Sequence, residues 1–225
     1  MSNTTNSKCD ERAERLSSAV SFTVNLHQKQ TRKGTSTPYA FHLFAVADLV
    51  MEAGGSDDEI IAALLHDSLE DQGDEYLGGR DALRHRISSN FGKKVLDIVN
   101  ECTDDEGHQK GAAKTLDKER AAWMRRKKKY AKHLLATDDI GVLRVSCADK
   151  LHNARTVLAD YQRFGELLWQ RFRTKRKADQ VLVYDKLAEV FETKAGELKD
   201  KNLELQAKAL RDTVDRIKDC KPKGS

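Results

Sequence analysis

The stretch Ile60-Ile61-Ala62-Ala63-Leu64-Leu65 limits what this chain can fold into more than any other segment. Ser56 precedes it as a cap, with Asp57 and Glu59 in the acidic first turn, so it reads as the interior of a helix. That helix is apolar nearly all round and has no face to offer water, so it must lie inside the fold with other helices around it. The rest of the sequence supplies them. Two prolines in 225 residues, with abundant Ala, Leu, Lys, Glu and Arg, favour helix at most positions.

Apolar spacing predicts a first helix over about 11–30, carrying Leu16, Ala19, Val20, Val24 and Leu26. A polar loop over 31–38, marked by Gly34 and Pro38, leads to a second helix over 39–53 that stops at Gly54-Gly55. Shorter helices are expected over 81–89 and 93–101, then a polar connection over 102–115, then helices over 116–135 and 139–161. The last third, 166–219, sets Trp169, Phe172, Val181, Leu182, Tyr184, Leu187 and Phe191 at mixed helical spacings. Residues 1–10 and 220–225 are expected to fray. The fold class is all-α, and no repeat or composition break forces a second domain.

The apolar run of six is far short of the roughly 20 residues that span a bilayer, and residues 1–10 lack the apolar core of a signal peptide. Cys9, Cys102, Cys147 and Cys220 form no C-x-x-C pair, which fits reduced thiols in the cytoplasm. A net charge of +4 with both signs mixed argues against nucleic acid as the partner. The sequence leaves a homo-oligomer open.

The apolar helix runs straight into His66-Asp67-Ser68-Leu69-Glu70-Asp71. Ionisable groups there are costly unless a counter-charge is present. Read as one continuous helix, His66 and Glu70 share a stripe and Asp67 and Asp71 the adjacent one. An adjacent His-Asp pair can offer a nitrogen and an oxygen to one divalent cation, with a carboxylate one turn on to orient or deprotonate water. An acidic helix end with a satisfied histidine is the plainer reading. His42, early in its helix, and Asp149, on the apolar helix Val145–Asn153, would complete a mixed N/O set of two histidines and two aspartates. Taken singly, His42 could be structural and Asp149 could pair with Lys150 or Arg144.

Three blocks carry a resemblance. They are Arg32-Lys33-Gly34-Thr35 with Pro38-Tyr39-Ala40-Phe41-His42, then Ala62 to Asp71, then Ala148-Asp149-Lys150-Leu151-His152-Asn153-Ala154-Arg155. In that order they resemble the HD superfamily of metal-dependent phosphohydrolases. Within it they are most similar to the hydrolase domain of Rel/SpoT enzymes and to its free-standing form, the small alarmone hydrolases. The resemblance implies a compact multi-helix HD-domain fold over 11–161, with additional C-terminal helices over 162–219 packed on the same domain. It implies one Mn²⁺ per chain held by His42, His66, Asp67 and Asp149, with Glu70 and Asp71 activating the attacking water. Arg32 and Lys33 would face substrate phosphate, and Asn153 and Thr156 would touch the nucleotide. Tyr184 is a further substrate-binding candidate. The implied reaction removes the 3′-diphosphate from a guanosine or adenosine alarmone, (p)ppGpp or (p)ppApp, as pyrophosphate. The alternatives are another HD phosphohydrolase acting on nucleotides or NADPH, and a non-catalytic nucleotide-binding module.

The modest net charge hides segregation. Residues 57–75 hold eight acids and no Lys or Arg, while residues 125–132 hold six Lys and Arg and no acid. The basic run 125–132, and a second over 171–177, read either as solvated helix faces or as a phosphate funnel. His27, His85, His108 and His133 have no acidic partner at ligand spacing and receive no role.

Overall fold

A computed structural model describes residues 3–103 and 115–221 of the chain. The expected connection over 102–115, with His108, lies mostly outside the described residues, as do residues 222–225. The described residues are helical, with a single isolated bridge between Thr31 and Pro38, so the chain is all-α. It divides between Thr103 and Asp104 into two compact units.

The first unit contains α1 (Asn3–Leu26), α2 (Ala40–Glu52), α3 (Asp57–Leu65), α4 (Ser68–Asp71), α5 (Gly79–Phe91) and α6 (Lys93–Cys102). Helix α3 is the apolar run, and it packs against α1, α2 and α6. Every residue from Glu59 to Leu65 is buried, as its lack of a polar face requires. Ser56 caps it by accepting from the Glu59 amide. Arg12 and Arg15 of α1 pair with Asp57 and Asp58 at its start, so part of the acidic stretch is neutralised by α1. The stop at Gly54 follows from its left-handed φ of 69°, which a side chain would strain.

Three expectations change here. Helix α1 begins at Asn3, inside the stretch expected to fray, and ends at Leu26; residues 27–29 form a turn. Val20 and Val24 are exposed, and the buried stripe of α1 instead runs Ala19, Thr23, His27. Residues 56–71 are two helices. The ladder breaks at His66-Asp67, where Asp67 sits at φ −93°, ψ −1°, and resumes with Asp71 N–H donating to the Asp67 carbonyl at 2.9 Å.

The second unit contains α7 (Leu116–Ala136), α8 (Ile140–Phe164), a 3-10 helix (Gly165–Arg171), α9 (Lys177–Leu198) and α10 (Lys201–Asp219). Helix α8 is its centre, packed by α9, α10 and the 3-10 helix, and α7 lies on α9. The region read as 166–219 is broken at Lys199, which takes a left-handed φ of 54°, and Asp200 caps α10 by accepting from the Leu203 amide at 2.8 Å. Trp169 is buried against Tyr161, with ring centroids 5.0 Å apart. The basic run 171–177 is partly engaged inside this unit. Arg171 pairs with Asp160 and lies over the Phe164 ring, while Lys177 lies over Tyr161 and donates to the Lys218 and Cys220 carbonyls. No helix among the described residues is long and apolar enough to cross a membrane.

Candidate metal centre

His66 and Asp67 stand at the turn between α3 and α4, and their side chains converge as the adjacent pair suggested. His66 Nε2 lies 3.0 Å from Asp67 Oδ2, and His42 Nε2, from the first turn of α2, lies 3.6 Å from the same oxygen. The ligand atoms of His42, His66 and Asp67 all fall within 4.8 Å of one another. Both histidines are buried and Asp67 is half-buried.

The donor set fits a divalent cation on chemical grounds. His66 Nδ1 is 2.8 Å from the Ala63 carbonyl oxygen, which can only accept, so the ring hydrogen sits on Nδ1. In the neutral ring, Nε2 then presents its lone pair toward the Asp67 carboxylate, an arrangement that a shared cation relieves. Two imidazoles and a carboxylate suit a borderline or hard metal.

Asp67 is held in turn by Tyr39, whose hydroxyl donates to Oδ2 at 2.6 Å. The Arg32 guanidinium lies 5.6 Å from the centroid of that tyrosine ring. The 31–38 loop puts it there. The Thr31–Pro38 bridge closes the loop, the Arg32 amide donates to the Thr37 carbonyl, and the Thr35 amide donates to the Arg32 carbonyl. Lys33, next along, is exposed. Arg32 is thus carried beside the tyrosine that holds Asp67, in the first unit.

Glu70 and Asp71 sit half-buried on α4, one turn beyond. Burial, followed by the charge of Asp67, pushes the Asp71 carboxyl up to about 7, with Glu70 adding to the rise. The Gln30 amide works against this by donating to Asp71 Oδ2 at 2.7 Å. Gln30 Oε1 also receives Gln72 Nε2 at 2.6 Å and lies 2.7 Å from His27 Nδ1. His27 stacks on Tyr39, with centroids 5.6 Å apart, and burial lowers its proton affinity.

The remaining site candidates lie in the second unit. Asp149, buried on α8, pairs with Lys150 and accepts from Asn153 Nδ2 at 2.5 Å. Of the two pairings the sequence left open, the one with Lys150 is present, while Arg144 pairs with Asp200. Thr156 donates from its hydroxyl to the His152 carbonyl of its own helix, and Tyr184 is half-buried on α9.

Four residues around the triad carry no role in the sequence reading: His27, Gln30, Tyr39 and Gln72. Tyr39 stood inside a matching block, three residues before His42. His27 had a fainter sign, since Thr23 and His27 extend the buried position of Ala19 at intervals of four, and Gln30 had none.

The HD domain family matches this chain over residues 19–189. The MESH1 guanosine-3′,5′-bis(diphosphate) 3′-pyrophosphohydrolase of Xenopus tropicalis is 34% identical over 140 residues, 61% of this chain and 66% of that protein. Its Homo sapiens counterpart is 32% identical over 146 residues, 64% of this chain and 69% of that protein. The guanosine-3′,5′-bis(diphosphate) 3′-pyrophosphohydrolase of Aquifex aeolicus is 33% identical over 148 residues, 65% of this chain but 18% of its own length. With the His42, His66 and Asp67 cluster in place at the α3–α4 break, these likenesses make the chain a member of the HD domain family, on the branch that holds the MESH1 and Rel/SpoT-type proteins.

Proposed function

We propose that this protein is a metal-dependent 3′-pyrophosphohydrolase that hydrolyses the 3′-diphosphate of guanosine alarmones, (p)ppGpp, and of (p)ppApp, releasing pyrophosphate. The observation that carries the reading is the buried convergence of His42, His66 and Asp67 with Asp71 one turn on. The names of the relatives support the substrate class. In this reading His42, His66, Asp67 and Asp149 hold one Mn²⁺, which when bound supplies Lewis acidity to water and to the phosphoryl group. Asp71 and Glu70 orient the attacking water and accept its proton. Burial raises the proton affinity of the Asp71 carboxyl above that of an exposed carboxylate, which suits a group that accepts a proton from water. Arg32 and Lys33 offset charge on the diphosphate as it leaves, and the tie through Tyr39 to Asp67 keeps Arg32 at the reacting end. Asn153, Thr156 and Tyr184 contact the nucleotide. The cysteines, joined by no disulfide, fit a cytoplasmic setting.

The test is to incubate metal-stripped protein with (p)ppGpp, (p)ppApp, NADPH and dNTPs, with and without Mn²⁺, and to identify the products. Pyrophosphate released from the first two alone, and with Mn²⁺ alone, is the expected result. Phosphate released from NADPH, with the alarmones untouched, would overturn it.

A further inference from the structure

Helix α1 ends its buried stripe on polar residues. Thr23 donates from its hydroxyl to the Leu64 carbonyl at 3.2 Å, on the last turn of α3. One turn later comes His27, 2% exposed. An uncharged ring buried this deeply in a structural role usually satisfies both nitrogens. His27 satisfies one: Nδ1 lies 2.7 Å from Gln30 Oε1, and Nε2 has no hydrogen-bond partner among the described residues.

The amide of Gln30 explains the asymmetry. Its nitrogen donates to Asp71 Oδ2 at 2.7 Å, so its oxygen faces the other way, toward Gln72 Nε2 at 2.6 Å and His27 Nδ1. An amide oxygen can only accept, so His27 must carry its hydrogen on Nδ1. Nε2 is left with a bare lone pair, which is cheaper to bury than a bare N–H. With the hydrogen on Nε2 instead, two acceptors would face each other at 2.7 Å and the amide would gain by turning over. It would then present oxygen to the oxygen of Asp71. Stacking on Tyr39, itself bonded to Asp67, holds the imidazole plane in place.

We propose that His27 is a positioning residue: its Nδ1–H locks the Gln30 amide with nitrogen toward Asp71, and so sets where the Asp71 carboxylate stands beside the metal ligands. The inference rests on the reading of Asp71 as a water-activating group, and its test separates the two. In uniformly ¹⁵N-labelled, metal-free protein, a two-bond ¹H–¹⁵N correlation reads the His27 tautomer without any substrate. The expected result is hydrogen on Nδ1; hydrogen on Nε2 overturns the lock whatever the enzyme does. In the Mn²⁺-loaded protein, His27→Phe keeps the stack on Tyr39 and removes the donor, while His27→Asn places an amide N–H near the position of Nδ1–H. His27→Phe should lower kcat by about 10- to 100-fold with KM nearly unchanged, the scale at which a misplaced group loses rate. His27→Asn should recover most of that loss. Equal losses in the two variants, or a fall confined to KM, would refute a positioning role. A wild-type protein with the Nδ1–H tautomer that hydrolyses no alarmone would count against the proposed function and leave the lock standing.

Discussion

Asp71 makes the electrostatics of the first unit measurable without substrate. Its carboxyl is raised from 3.8 to about 7, chiefly by burial and then by the charge of Asp67. The folded chain therefore binds this proton more tightly than the unfolded chain. Its contribution to stability is complete below the unfolded value near 3.8 and is lost as pH rises through about 7. At about 1.4 kcal/mol per unit, the part lost between pH 5 and pH 7 is about 2 kcal/mol. Asp71→Asn keeps an oxygen that can accept from Gln30 and removes the titration. Wild type should thus lose about 2 kcal/mol relative to the variant over that interval, in chelator-treated protein. Urea unfolding read from the NMR signals of α3 amides reports on the first unit directly. A divalent cation beside Asp67 favours the ionised carboxylate and should flatten the slope. A difference between wild type and variant that stays level, or grows in favour of wild type, from pH 5 to 8 would refute the buried, Asp67-coupled picture of Asp71.

Three further outcomes follow from named contacts. Tyr39→Phe removes the hydroxyl that donates to Asp67 at 2.6 Å and should weaken Mn²⁺ binding by about 10- to 100-fold, measured by calorimetry, without unfolding the unit. Ile61→Ala opens a cavity at a fully buried position of α3 and should cost about 2–5 kcal/mol in the α3 amide unfolding transition. Asp200→Ala removes both the cap on α10 and the partner of buried Arg144, and should cost about 1–2 kcal/mol in the second unit, followed by tryptophan fluorescence.

The helices were legible where a local signal sufficed. Ser56 acts as the cap read from its residue type, and Gly54 stops α2 through its left-handed backbone. Other breaks were not legible. The chain leaves helix at His66-Asp67, over 172–176 and at Lys199, with neither proline nor glycine at the break to mark it. The pairing that matters to the chemistry was legible all the same: adjacent His66 and Asp67 read as a nitrogen and an oxygen for one cation, and they meet at 3.0 Å at the first of these breaks.

Both His66 and His27 are buried, yet the sequence distinguished only one of them, and the reason is physical. The neighbour of His66 is an aspartate on the same strongly apolar run, so the electrostatic cost of the pair is visible in consecutive residues. His27 is paired through the Gln30 side chain, and α1 stops at Leu26 just before a turn in which the Gln30 backbone N–H donates to the His27 carbonyl at 2.9 Å. A helix carried on through residue 30, as the spacing suggested, would place His27 and Gln30 on one face but fix no direction for the amide. What orients the amide is the pair of groups 41 and 42 positions along the chain, the Asp71 carboxylate and the Gln72 amide. Metal ligands can thus be read from residue types at short range, whereas the hydrogen bonds that aim a base depend on which donors the tertiary fold brings into contact.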